Sequence, residues 1–172
     1  MIDVVIAGFF FAFGVVFGSF GNVLIYRLPN DETIQGRSHC PHCKHVLTLL
    51  DLIPLLSWLC LRARCRHCRG PISYQYPLVE FTSGLLFIAP LIYYPSLNYV
   101  QQVLLAFCLW LFFLIAVIDG KTQGIPDALN LPLVALTGFF SWYTGWLDPF
   151  SVAIGVGFLG MQWLISRGDW VG

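Results

Sequence analysis

The sequence predicts an all-α polytopic membrane protein with about five transmembrane helices and a small polar insertion between the first two. Apolar residues make up 58% of the 172-residue chain and charged residues only 10%, against roughly 25% charged in soluble domains. Apolar runs long enough to cross a bilayer recur along the chain. One basic, cysteine-bearing stretch interrupts them, which predicts the insertion.

The first span is predicted over residues 4–25. A cleaved signal peptide would need a basic start, and the only charge before Arg27 is Asp3. We therefore expect a retained helix. Three glycines of this span occur at near-helical spacing: Gly14, Gly18 and Gly21. They indicate close packing against a neighbouring helix, or they merely reflect how common glycine is in membrane helices.

Four further spans are predicted in the second part of the chain. They cover about residues 77–94, 101–118, 128–146 and 150–165. The chain is thus divided into a first transmembrane helix (1–26), a basic, cysteine-bearing module (27–76) and a region with the remaining helices (77–172). An aromatic belt is expected at the outer end of the fourth span.

The distribution of basic residues predicts the topology. Seven of the nine lysines and arginines lie between Arg27 and Arg69. Because basic residues are enriched in cytoplasmic loops, this segment is expected inside and the N-terminus outside. The break at 119–128 and the C-terminal residues then also face the cytoplasm.

Four of the six cysteines form two C-x-x-C pairs in the basic segment. Each pair presents two thiolates at one point, and zinc prefers four such ligands in a tetrahedron. We predict one structural zinc, although four free thiols or a redox pair stay open, and His42, His45 and His67 are alternative ligands. Cys60 and Cys108 are expected to pack as apolar residues. The predicted ligands are Cys40, Cys43, Cys65 and Cys68.

Two carboxylates are expected at the cytoplasmic membrane face. Asp119 directly follows a charge-free run from residue 102, and Asp169 follows the last predicted span. Two carboxylates in a partly dry site cannot both ionise cheaply, which is the property that an aspartic protease dyad uses. Taken alone, an aspartate at a helix end is usually an interfacial residue or a cap. Asp127 is expected to be a helix N-cap rather than a catalyst.

The chain resembles the type IV prepilin leader peptidases, membrane aspartic proteases of the GxGD type. The matching blocks occur in the family's order between residues 18 and 130. They are Gly18–Val23 with Tyr26–Pro29, the two C-x-x-C pairs, Asp51–Trp58 with Pro71–Glu80, and Ile118–Asn130.

The resemblance implies an activity and a location. Such enzymes cut the leader from prepilin or pseudopilin precursors at the cytoplasmic face of the bacterial inner membrane. Many then methylate the new N-terminus with S-adenosylmethionine. The family's first catalytic aspartate maps to Asp119, and the implied partners are the precursor and the lipid bilayer.

One departure concerns the second catalytic aspartate. The family carries it in G-x-G-D, whereas Ser166-Arg167-Gly168-Asp169 lacks the first glycine. Either Asp169 is a degenerate version, or the sequence is truncated before the true motif. We expect truncation, which would leave half of a catalytic site. The alternative function is a non-catalytic membrane assembly protein with a zinc-ribbon docking module. No nucleic-acid partner is expected, because basic residues on the cytoplasmic side are sufficiently explained as anchors near anionic lipids.

Overall fold

A computed structural model of the protein describes residues 3–124 and 126–146. Within these ranges the chain is helical and has no strand. Two short 3₁₀ helices, Leu28–Asn30 and Leu49–Leu52, precede the second α-helix. The α-helices are α1 (Val4–Arg27), α2 (Leu56–Cys60), α3 (Gln75–Tyr93), α4 (Tyr99–Thr122) and α5 (Asp127–Thr144).

Three of the described helices, α1, α3 and α4, are long and apolar enough to cross a membrane. They confirm the first three predicted spans, although α4 extends one turn beyond the predicted end at residue 118. α5 occupies the position of the fourth predicted span and is less apolar than the other three. The fifth predicted span, 150–165, lies outside the described residues.

α1 and α3 pack closely through glycine. A Cβ atom added to Gly14 would lie 2.6 Å from the Ser83 carbonyl oxygen, and one added to Gly18 would lie 2.6 Å from the Glu80 Cα. Such distances leave no room for a side chain, so the two backbones touch directly. The expectation of close packing is therefore confirmed for these glycines. We refer to this contact as the α1–α3 seam.

α4 completes the core of the bundle. A Cβ atom on Gly21 of α1 would lie 2.8 Å from the Leu114 side chain. Around this point aromatic rings meet edge to face, with the Phe17 centroid 5.4 Å from Trp110 and 4.8 Å from Phe107. Edge-to-face pairs add to the stabilisation from apolar burial. The most buried large side chains are Phe87, Leu114 and Ile118.

The end of α1, the start of α3 and the end of α4 lie at one end of the bundle. The Asn22 side chain of α1 donates to the Tyr76 carbonyl oxygen at 3.1 Å. Lys121 of α4 donates to the Gln75 side chain at the start of α3. The polar insertion leaves and rejoins the bundle here, so the predicted placement of the insertion and the 119–128 break on the same side is confirmed.

The chain divides into two compact units, Met1–Leu136 and Thr137–Gly172. In the described part of the second unit, aromatic side chains contact one another at the end of α5. Phe139 stacks on Tyr143 with ring centroids 6.0 Å apart, and Phe140 meets the Trp146 ring edge to face at 5.7 Å. Trp142, Tyr143 and Trp146, the expected aromatic belt, are exposed.

Candidate metal centre and membrane-face carboxylates

The first C-x-x-C pair forms a tight loop. The Cys40 N–H donates to the His45 carbonyl oxygen at 2.9 Å, and the Lys44 N–H donates back to the Cys40 carbonyl oxygen at 2.9 Å. Lys44 adopts the left-handed region with φ of 58°. This conformation turns the chain so that both cysteines of the pair face the same point.

The second pair repeats this geometry. The Cys65 N–H donates to the Gly70 carbonyl oxygen at 2.8 Å, and the Arg69 N–H donates to the Cys65 carbonyl oxygen at 3.0 Å. Arg69 also has φ of 58°. The two loops are therefore a structural repeat, which sequence reasoning missed. The shared pattern, Cys-x-His-Cys followed by a basic residue, was the signal that could have revealed it.

The two loops bring the four predicted ligand atoms together. The sulfur atoms of Cys40, Cys43, Cys65 and Cys68 all lie within 4.8 Å of one another. In a tetrahedral zinc site with Zn–S bonds of about 2.3 Å, sulfur atoms are about 3.8 Å apart. The Sγ atoms of Cys40 and Cys68 are 3.9 Å apart. Both the geometry and the soft donor set fit a four-coordinate metal ion.

The pKa values of two of the thiols also fit a site for a cation. Backbone N–H groups of Cys68 and His67 lower the pKa of Cys65 to about 7. The Gly70 N–H acts in the same direction on Cys68, but desolvation and the neighbouring thiols raise the pKa of Cys68 to about 11. Cys65 therefore loses its proton readily, whereas the formation of a second thiolate at Cys68 is unfavourable. Cys40, Cys43, Cys65 and Cys68 could all be thiolates around a divalent ion, because its positive charge would offset their repulsion.

The histidines of the module make other contacts. His45 and His67 stack with ring centroids 4.5 Å apart and planes at 8°. His42 lies so close to Gly70 that a Cβ atom there would be 3.0 Å from its ring. Within the described residues, the only candidate metal group consists of the four cysteines. Cys108 is buried as expected, but Cys60 is exposed, so the prediction that it packs as an apolar residue was wrong.

Asp51 ties the two halves of the module together. Its carboxylate accepts from the Thr48 hydroxyl at 2.7 Å and from the Thr48 N–H at 3.1 Å, which caps the 3₁₀ helix. It also pairs with Arg66, between the cysteines of the second loop, at 2.7 Å. Partial desolvation opposes ionisation, but these hydrogen bonds together lower the pKa of Asp51.

Arg27, the last residue of α1, organises the start of the module. It is only 6% exposed. Its guanidinium donates to the carbonyl oxygens of Thr33, Ile34 and Gln35 at 2.9–3.1 Å and to that of Arg37 at 3.3 Å. A guanidinium has five N–H donors in a fixed plane, so it can hold several carbonyls of one loop at once. From the sequence, Arg27 was identified as a topological charge and as part of the block Tyr26–Pro29, but not as the centre of this loop.

Glu80 joins the module to the bundle. It lies in the second turn of α3 and is 6% exposed. Its carboxylate accepts from the Leu55 backbone N–H at 2.7 Å. Leu55 has φ of 60° and directly precedes α2. This contact fixes the position of α2 along α3.

Asp119 lies in the last turn of α4 and is exposed at the end of the bundle where the module joins. Asp127 was expected to be the N-cap of the next helix, but it is the first residue of α5, one position after the cap. It is also exposed. A negative charge there is favourable, because the N-terminus of a helix carries partial positive charge. Asp169 lies outside the described residues, so nothing places it relative to Asp119.

The chain is similar to known proteins over most of its length. A family model for the bacterial peptidase A24 N-terminal domain matches residues 12–94. A prepilin leader peptidase/N-methyltransferase of Myxococcus xanthus is 41% identical over 175 residues, which cover 88% of this chain and 52% of that protein. A protein of the same name from Dickeya chrysanthemi is 38% identical over 146 residues, which cover 70% of this chain and 50% of that protein.

A third relative, from Burkholderia pseudomallei strain 1026b, has the same name and is 33% identical over 210 residues, which cover 92% of this chain and 67% of that protein. The chain thus spans about half the length of the Myxococcus and Dickeya relatives. No solved structure matches it.

Apolar helices joined by a four-thiol insertion define a helical membrane protein with a candidate metal centre. Together with the similarities, they give the family: the chain belongs to the prepilin leader peptidases that carry the bacterial peptidase A24 N-terminal domain. The resemblance found in the sequence is confirmed.

Proposed function

We propose that the protein is a membrane aspartic endopeptidase that cleaves the leader of type IV prepilin-like precursors. The relatives' names support this activity. Asp119 is proposed as one of the two catalytic carboxylates. The protein would act in the bacterial inner membrane, with α1 starting outside and the module in the cytoplasm, as the positions of the basic residues favour.

The observation that carries the role of Asp119 is its unfavourable position. The C-terminal end of a helix carries partial negative charge, so a carboxylate in the last turn is destabilising. Among the described residues, no hydrogen bond or ion pair compensates the Asp119 side chain. An uncompensated acid at the membrane end of an apolar helix supports a role in chemistry rather than in stability.

In the proposed reaction one carboxylate is ionised and its partner is protonated. The ionised group takes a proton from water, whose oxygen attacks the scissile carbonyl carbon. The protonated group donates its proton to the carbonyl oxygen. When the tetrahedral intermediate collapses, the C–N bond breaks and the leaving amine takes up a proton. Asp169 is the candidate partner within this chain, and a carboxylate outside these 172 residues is the alternative.

The four-cysteine cluster is proposed to hold a structural zinc ion. Four thiolates complete the coordination of zinc, so no position is left for water or substrate. Its role is therefore to fold the module beside the carboxylate rather than to take part in cleavage. Elemental analysis of the purified protein should find one zinc per chain.

Methylation of the new N-terminus by S-adenosylmethionine is a second proposed activity. It is supported by the names of the relatives. Binding of labelled S-adenosylmethionine to the purified protein tests it. No nucleic-acid role is proposed for the module.

Substitution of the acids tests the peptidase proposal. Membranes carrying the protein are incubated with a prepilin precursor, and leader removal is followed by the shift in mass. Asp119→Asn should abolish cleavage, whereas Asp127→Asn, an equally exposed acid in the first turn of α5, should retain it. Cleavage by Asp119→Asn at the wild-type rate would reject the assignment of Asp119. Absence of cleavage by the unsubstituted protein would favour a non-catalytic assembly protein. The Asp169→Asn variant decides between the two candidate partners.

A further inference from the structure

The module exposes an unusual amount of apolar surface around α2. Side chains of the 3₁₀ helix and of α2 that would normally be buried face outward, with Leu49 83% exposed and Leu59 63% exposed. Soluble domains rarely leave such a cluster open unless it contacts a partner or a membrane. The exposed leucines of these two short helices are Leu49, Leu50, Leu52, Leu56 and Leu59.

This surface continues onto the membrane helix α3. A cleft of about 500 Å³ lies between α2 and the start of α3, and apolar and aromatic side chains line it. Leu78 and Phe81 contribute the α3 wall and are themselves exposed. Their face continues along α3 through the exposed Leu85 and Ile92, at helical spacing. Phe11 of α1 meets the Phe81 ring edge to face at 5.8 Å, but the described residues leave most of this face exposed. The module and the span therefore share one apolar surface.

The depth of α2 along α3 follows from the Glu80 contact. Gln75, the first residue of α3, bonds to Lys121 and marks the polar end of the bundle. Glu80 lies five residues further, about 7.5 Å along the helix axis at 1.5 Å per residue. It accepts the Leu55 N–H, so the start of α2 is held at this level. Interfacial helices lie about 5–10 Å deep, at the boundary between headgroups and acyl chains.

Aromatic and basic residues flank the surface as they do at a bilayer interface. The Trp58 ring lies 5.1 Å from that of Tyr74, and both line the cleft. Trp and Tyr are enriched at the membrane–water boundary. Between residues 49 and 72 there is one acid, Asp51, against four exposed arginines, Arg62, Arg64, Arg66 and Arg69. This charge is complementary to anionic headgroups.

We propose that α2 and the preceding 3₁₀ helix lie in the membrane interface beside the first two turns of α3, on an anionic lipid surface. The leucines and Trp58 insert among the upper acyl chains, and the arginines contact the headgroups. The module is then held on the bilayer at the same end of the helix bundle as Asp119.

Photo-crosslinking in lipid tests this placement. The photoreactive residue p-benzoylphenylalanine replaces Leu59 in the full chain, reconstituted in phosphatidylglycerol-containing vesicles. Val46 provides a matched control, because it is an exposed apolar residue of the module that does not line the cleft. The zinc content of each sample reports whether the module is folded, and Leu50 provides a second test position.

The Leu59 probe should give about tenfold more lipid adduct than the Val46 probe, the preference expected for a buried leucine-sized side chain. Replacing Arg62 and Arg64 by glutamine should lower the adduct about fivefold in these vesicles. Adducts confined to a second copy, to another protein segment or to a precursor would overturn the proposal. So would equal lipid adducts from the two positions. An unchanged yield in the arginine variant would refute the contribution of anionic headgroups.

Discussion

The bundle of α1, α3 and α4 buries Phe87, Leu114 and Ile118 almost completely. The part of the module between α1 and α3, residues 28–74, buries only Cys40 and Cys65. All residues of the module lie within the described range. The bundle is therefore stabilised by close packing and the module by polar contacts around a candidate metal site. The two regions should therefore lose their structure under different perturbations.

Removing one of the four proposed zinc ligands should give the largest effect. Cys65→Ser leaves three thiolates and should cost most of the roughly 10 kcal/mol that structural zinc contributes to folding. The module should then become sensitive to protease while α1, α3 and α4 stay helical. Limited proteolysis with zinc analysis measures this. Cys60→Ser is the control, because Cys60 is exposed and outside the cluster. Loss of the bundle helices as well would show that the two regions are not independent.

A methyl group in the α1–α3 seam should have an intermediate effect. Gly18→Ala places a Cβ atom against the α3 backbone, which cannot move aside as a flexible side chain can. We expect a loss of about 1–3 kcal/mol in the unfolding free energy of the bundle, measured by thermal unfolding in detergent. Gly8→Ala, on the same helix with nothing within 4 Å of the added atom, should leave it unchanged or raise it. Zinc content should be unaffected in both, and equal stabilities would refute the seam.

Removing the Asp51 contacts should have the smallest effect on the stability of the module, and the size of this effect should depend on pH. The pKa of Asp51 is lowered from 3.8 in the folded state, so its stabilisation is present above that value and is lost as pH falls through the folded pKa. Asp51→Asn should destabilise the module by about 1 kcal/mol at neutral pH, seen as faster zinc loss to a chelator. The difference from wild type should shrink below about pH 4. Asp31→Asn is the control, because Asp31 is an acid of the module that is exposed, unlike Asp51, and it should match wild type at every pH.

The sequence predicted those features that depend on composition and local spacing. Long apolar runs predicted α1, α3 and α4, and the two C-x-x-C pairs predicted which four thiols lie together, because both are patterns of local spacing. The position of Asp119 beside the module also followed, since charge distribution and span number determine sidedness.

What the sequence missed depends on tertiary contacts. Nothing local distinguishes the buried Arg27 from an ordinary interfacial arginine, because its partners are backbone carbonyls of a loop. The Glu80–Leu55 bond joins residues of different elements and has no pattern of its own. Cys60 was wrongly assigned to a buried position because its neighbours are apolar, whereas α2 turns that face outward.

The α1–α3 seam has a further consequence for how such proteins can vary. Gly14 and Gly18 contact α3 directly, and these contacts involve no residue of the module. The Asn22–Tyr76 hydrogen bond holds the two ends of the insertion close together. The entropy of closing a loop grows only slowly with its length, about 0.6 kcal/mol per doubling. The bundle therefore tolerates an insertion of almost any size at this point. Evolution could lengthen, shorten or remodel the thiol-bearing segment while α1 and α3 kept the same register.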